Sequence, residues 1–170
     1  MLLFTAARQA NIRAEAVEFS TARLSFTPDE FEKKAHIGSA IAGAWGVRRA
    51  ATLMTAGLRS PELPEQGDCL RWVGRERKEF DRCLPGLREL RDIHEHFDDY
   101  ARGLGRWQKR GVDCTVNYDF SPGREAIQAG PWSLEVRVVR AAAHRLAANL
   151  GGVARLARWR LDVQALKAAG

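Results

Sequence analysis

The sequence predicts a mainly α-helical protein. The expected form is an antiparallel four-helix-type bundle with a small β-hairpin between the third and fourth main helices and an extra C-terminal helix. Three observations lead there. Four long stretches carry apolar residues at steps of three and four, the period of one helix face. Residues 112–120 switch to a period of two, the mark of a half-buried strand. The chain has 170 residues, 45% of them hydrophobic, which suits one domain with a buried core. The expected division is a single domain over 1–170, with an N-terminal extension (1–26), a bundle core including the hairpin (27–153) and a C-terminal amphipathic helix (154–170).

The extension reads in two ways. Ala16, Val17, Phe19, Thr21, Leu24 and Phe26 partly alternate with polar residues, as in a short strand. Thr5 to Val17 reads equally as a helix. The first clear helix follows. Thr27 suits an N-cap, Pro28 the first helical position and Glu30 the reciprocal capping-box position. Phe26 and Phe31 are placed to form a hydrophobic staple around them. The seam Ile37, Ala40, Ala44, Val47, Ala51, Met54, Leu58 carries this helix to Leu58. Gly38, Gly43 and Gly46 lie among the seam residues and would let another helix approach closely. Ser60 to Gly67 reads as a loop.

A second helix starts near Asp68, with Leu70, Val73, Phe80 and Leu84 as its apolar face and Arg77 interrupting it. Pro85-Gly86 breaks it. The central helix then runs from Leu87 to Gly103 or Gly105, with the seam Leu87, Leu90, His94, Phe97, Ala101, Leu104. In the strand, Val112, Cys114, Val116, Tyr118 and Phe120 alternate with polar residues. Ser121-Pro122-Gly123-Arg124 fits a type II turn, and Glu125 to Ala129 the return strand. Ser133 is read as the N-cap of the fourth main helix. Its seam is Val136, Val139, Ala143, Leu146, Leu150, Val153, and Gly151-Gly152 is read as a hinge. The tail carries Leu156, Trp159, Val163 and Leu166 opposite Arg155, Arg158, Arg160 and Lys167.

The formal charge is +6, carried by 22 Arg and 5 Lys against 21 acids. A GC-rich coding sequence accounts for the arginines, and so does affinity for phosphates, which arginine grips in a bidentate way. No apolar run is long enough to span a bilayer, and the N-terminus lacks a secretory pattern, so no membrane is expected. Cys69, Cys83 and Cys114 are odd in number and lack metal-ligand spacing, which fits a reducing cytoplasm.

The central stretch holds the densest set of titratable groups: Arg91, Asp92, His94, Glu95, His96, Asp98, Asp99 and Tyr100. His94 and His96 would point about 200° apart on a helix and cannot share one ion. His94 and Asp98 lack a visible third ligand, so neither metal nor cofactor is expected. There is no glycine-rich phosphate loop after a strand.

Arg91-Asp92-Ile93-His94-Glu95-His96 resembles the signature of HEPN-domain proteins, an arginine, a polar residue and then a histidine. That superfamily consists of small helical bundles, many of them metal-independent ribonucleases of bacterial toxin and defence systems. The resemblance implies that Arg91 and His96 are the catalytic pair, with Asp92 in the polar slot and Glu95 and Tyr100 in support. HFDDYARGLGR further resembles small helical proteins of high-GC bacteria. The chemistry is consistent with the implied role. A histidine of ordinary pKa near 6.5 can move the ribose 2′-OH proton, and an arginine fork can stabilise a phosphorane. On one helix Arg91 and His96 lie about 140° apart, so a site shared across a two-fold homodimer is expected. The runner-up is a non-catalytic helical homodimer that binds nucleic acid or a protein partner. Structural readings stand beside these. His94 reads as a core histidine, Arg91 and Glu95 as an ordinary i,i+4 pair, and His96 as a hydrogen-bond partner of Asp92 or Tyr100.

Overall fold

The computed structural model describes residues 2–61, 63, 66–96, 99–100, 102–121 and 124–169. Its first helix, α1 (Leu2–Leu24), rules out the strand reading of the N-terminal extension and bears out the helix over Thr5 to Val17, lengthened at both ends. Ala6, Ala10, Ala14, Val17 and Leu24 are fully buried along one face, whereas Phe4, Ile12 and Phe19 stand on the other. Apolar residues on two opposite faces blur the helical period, which is why the stretch also reads as alternating.

Helix α2 (Glu30–Leu58) ends where its seam ends, and all seven predicted seam residues are buried. Its cap is Asp29 rather than Thr27. The Asp29 carboxylate accepts the Glu32 N–H at 2.7 Å, while the Thr27 hydroxyl donates to the Arg23 carbonyl at 2.8 Å and closes α1. A carboxylate also sits well against the positive end of the helix dipole. No staple forms, since Phe26 and Phe31 are 86% and 83% exposed. α1 and α2 run antiparallel: Leu3 packs at Gly57, and Val17 at Gly43. A Cβ at Gly43 would stand 2.8 Å from Val17 Cγ2, so the absent side chain sets how closely the helices meet.

Helix α3 (Gly67–Cys83) buries Cys69, Val73 and Phe80, with Leu84 buried just past its end. Gly86, at φ 90°, turns the chain into α4, with the Trp132 ring against it. Helix α4 spans only Leu87–Glu95, not Leu87 to Gly103 or Gly105. It buries Leu87, Leu90 and Ile93, and Leu104 is 53% exposed. Phe97 and Ala101 of the expected seam lie outside the described residues. The break lies at His96, whose backbone leaves helical geometry at φ −111° and ψ 33°. Beyond it the Tyr100 hydroxyl donates back to Asp92 at 3.3 Å.

A short 3-10 turn (Gln108–Arg110) precedes the sheet. Strands β1 (Val116–Ser121), β2 (Arg124–Ala129) and β3 (Trp132–Glu135) pair antiparallel in the order β1-β2-β3. Tyr118 lies opposite Ile127, and Ile127 opposite Leu134. Ser121 and Arg124 close the first hairpin as expected; Pro122 and Gly123 of the type II turn lie outside the described residues. Ser133 is not a helix cap but the second residue of β3. Ala129 pairs with Trp132 across Gly130-Pro131, and Gly130 takes φ 56°. A two-residue turn with glycine first is a favoured hairpin connection.

Helix α5 (Val136–Ala169) is continuous for 34 residues. Gly151-Gly152 is not a hinge, and the C-terminal helix is not separate. Leu150, Val153 and Ala154 are buried on either side of the two glycines, and Trp72 of α3 lies over Gly152. This packing offsets the roughly 1 kcal/mol that each glycine costs in a helix. Ala154 and Ala157 are the buried positions of the tail; Trp159 and Leu166 of the expected stripe are 61% and 75% exposed. α5 packs on α1, α2 and α3, and α2 packs on α1, α3, α4 and α5. The protein is thus mainly helical, with a three-stranded antiparallel sheet and a C-terminal helix.

Candidate functional site

The site residues come from the last turn of α4 and the chain that folds back over it. Arg91 and Glu95 are four apart, as are Asp92 and His96, and the two pairs lie about 100° apart around the helix. They therefore meet different neighbours.

Arg91 and Glu95 form the ion pair that their spacing implies. The Arg91 guanidinium also lies 5.1 Å from the centre of the Trp45 ring of α2, a cation–π contact. Its buried Nε has no hydrogen-bond partner among the described residues. Arg91 is thus half-buried and held by α2 and by Glu95.

Asp92 and His96 face the returning chain. Asp92 accepts from the Tyr100 hydroxyl and pairs with Arg106 Nε at 3.2 Å. Tyr100 is buried, with its ring lying on Gly105, where a Cβ would come within 2.3 Å of it. Burial, and then the nearby Asp92 charge, raise the Tyr100 pKa, so the phenol stays protonated. His96 is exposed at the end of α4, and its backbone N–H closes on the Asp92 carbonyl. A shallow depression of about 290 Å³ opens here, lined by Asp92, His96, Asp99, Tyr100, Leu104, Gly105 and Arg106.

The structure thus brings His96, Asp92 and Tyr100 to one depression and places Arg91 and Glu95 on the adjacent flank. The cation in the depression is Arg106, to which the sequence assigned no role. Its guanidinium lies 4.6 Å from the Trp107 ring centre, and Trp107 packs on Trp132 at 4.8 Å between ring centres. A cation followed by tryptophan after a glycine-rich bend was the available signal. His94 lies away from the depression, its ring directly against the α2 backbone at Gly38.

Among the described residues, no group of three or more His, Cys, Asp and Glu side chains could hold a metal ion. Cys69, Cys83 and Cys114 are free thiols, and burial raises the pKa of Cys69 and Cys114. Among the described residues, no helix is long and apolar enough to cross a membrane.

A second feature lies on α3. Arg71, Arg75, Lys78 and Arg82 follow one another at steps of four, three and four and line a shallow groove of about 510 Å³. Those steps form one helical stripe. Arg71, Arg75 and Arg82 each have a carboxylate within ion-pair distance on their own helix; Lys78 has none among the described residues.

No protein-family model matches the chain, and no curated protein or solved structure matches it either. The class that fold and site define is therefore a mainly helical protein with a small sheet and a His–Asp–Tyr–Arg depression.

Proposed function

We propose that the protein is RNA-directed, acting as a metal-independent endoribonuclease of a toxin or defence system, in line with its HEPN-like motif. The observation that carries this reading is the depression at the end of α4. There an exposed His96 shares one cavity with Arg106, itself positioned by Asp92. His96 would move the 2′-OH proton, and an arginine would stabilise charge on the phosphorane. Arg91 fills that second role once its pair with Glu95 opens; Arg106 fills it with no rearrangement of Arg91. Asp92 and Tyr100 position Arg106 and the returning chain. The contacts α1–α2, α1–α5 and α3–α5 favour reading the helices as an antiparallel four-helix-type bundle. Three free thiols favour a cytoplasmic setting.

The basic stripe on α3 supports binding of a phosphate polymer, because side chains one helical turn apart can follow successive phosphates. The test is fluorescence anisotropy with single-stranded and structured RNA over a series of salt concentrations. Binding should weaken steeply with salt. Lys78→Ala combined with Arg75→Ala should lower affinity and make the salt slope shallower. Salt-independent binding, or none to any RNA, counts against the reading.

The second reading is a non-catalytic homodimer that binds RNA or a protein. The restraint of Arg91 by Glu95 and Trp45 favours it. Salt-sensitive RNA binding without cleavage would select it.

A further inference from the structure

The outward face of α1 is apolar, charged in a specific order and largely exposed; of its large side chains Phe19 alone has described ring contacts, with Arg23 and with the edge of His36. Phe4, Ile12 and Phe19 are 47%, 52% and 58% exposed. Arg8 and Glu15 stand between them, exposed, with no hydrogen bond or ion pair to any described residue. At 100° per residue these five side chains fall within an arc of about 80°, directly opposite the buried Ala10, Ala14 and Val17. They form a second seam on a helix whose first seam already faces the core.

We propose that this seam is the interface between two copies of the chain, paired with their α1 helices antiparallel. The order of residues is self-complementary under a two-fold axis passing between Asn11 and Ile12. Phe4 of one copy then meets Phe19 of the other, Arg8 meets Glu15, and the two Ile12 side chains flank the axis. The Phe4–Phe19 and Arg8–Glu15 contacts each occur twice and the Ile12 contact lies once at the axis, as a two-fold interface requires. A parallel pairing would set Arg8 against Arg8 and Glu15 against Glu15, so charge selects the orientation. Within one chain Arg8 and Glu15 cannot pair, because seven residues place them about 10.5 Å apart along the helix. The occupant that matches both the apolar spacing and the charge order is a second copy. The inference holds under either functional reading, since these five residues lie outside the His96 depression.

Analytical ultracentrifugation of the full chain tests it. Wild type should sediment as a dimer at tens of micromolar. Arg8→Glu and Glu15→Arg should each weaken the dimer by about 100-fold, because either change sets like charges together twice. The double variant Arg8→Glu/Glu15→Arg should restore the dimer, because the exchanged pair is again complementary. Thermal melts by circular dichroism should show all variants folded, since both positions are exposed. A monomeric wild type, a dimer indifferent to either single reversal, or a charge exchange that fails to restore it would each overturn the proposal.

Discussion

Adding one methyl group at Gly43 or at Gly46 should have opposite effects on stability. Both glycines face α1 from α2. A Cβ at Gly43 would stand 2.8 Å from Val17 Cγ2 and 3.1 Å from the Arg13 carbonyl oxygen, one a buried β-branched side chain and the other backbone. Neither can move without shifting the helix. Overpacking costs about 1–3 kcal/mol in general and about 2–3 against two partners that cannot yield, and the gain in helix propensity from glycine to alanine returns about 1. Gly43→Ala should therefore be destabilised by about 1–2 kcal/mol, or roughly 2–8 °C in Tm for a chain of this size. At Gly46 the Cβ would meet Arg13 Cδ and Cγ at 2.8 Å, the flexible stem of an exposed side chain. Arg13 can swing aside, so Gly46→Ala should be neutral or stabilised by up to about 1 kcal/mol. Urea denaturation followed by circular dichroism measures both. A Gly43→Ala variant as stable as wild type would refute the close α1–α2 contact. The reverse order of the two variants would place the wrong glycine at it.

Three further outcomes follow from the fold. Gly151→Ala and Gly152→Ala should each keep or raise Tm, because a Cβ there meets Arg155 and Trp72 no closer than 3.5 Å and 3.6 Å and α5 is continuous; a loss above about 1 kcal/mol would restore the hinge. Leu90→Ala should cost about 2–5 kcal/mol, because Leu90 is fully buried. Leu104→Ser should cost under about 0.5 kcal/mol, because Leu104 is half-exposed, and equal losses would mean that one seam runs through both. Stability should hold down to about pH 4.5 and then fall. The Arg82 hydrogen bond holds the Glu79 carboxyl at about 2 against an ordinary 4.5, and Arg140 lowers Glu18 in the same direction. A depressed carboxylate stabilises above its unfolded pKa and loses that contribution as pH drops through the folded value. Glu79→Gln should flatten part of that fall, and an unchanged pH profile would remove the pair from the account.

The parts of this fold that were legible share one property. α2 from Ile37 and α5 as far as Val153 bury apolar residues at steps of three and four, which located both seams, although not the starts of the helices. α1 was legible only as one of two alternatives because it is apolar on two opposite faces, alanines with Leu3, Val17 and Leu24 toward the core and Phe4, Ile12 and Phe19 outward. β3 was missed because Pro131-Trp132-Ser133 also resembles a helix start; the pairing of Ala129 with Trp132 across Gly130 is a long-range fact that no local pattern carries. The length of α4 was overestimated for a similar reason. Only the backbone at His96 and the contacts of Tyr100 with Asp92 and Gly105 show that α4 stops there and that the chain after Tyr100 folds back. The candidate site was legible to the same degree. His96, Asp92 and Tyr100 meet in one depression, but Arg106 reaches it by that reversal and Arg91 is held on the neighbouring flank.

The central claim is that His96, rather than its neighbour His94, carries chemistry on RNA. The measurement is cleavage of single-stranded and structured RNA in EDTA by wild type, His94→Ala, His96→Ala, Arg91→Ala and Arg106→Ala, each melted in parallel. His94→Ala should lower Tm, since its ring packs against α2 at Gly38. His96→Ala should leave Tm nearly unchanged and reduce cleavage by about 100-fold or more, the scale of a lost general acid or base. The arginine whose removal matches that loss is the one that stabilises the transition state. Wild-type protein that cuts no RNA, or a His96→Ala variant that cuts as fast as wild type, would contradict the account.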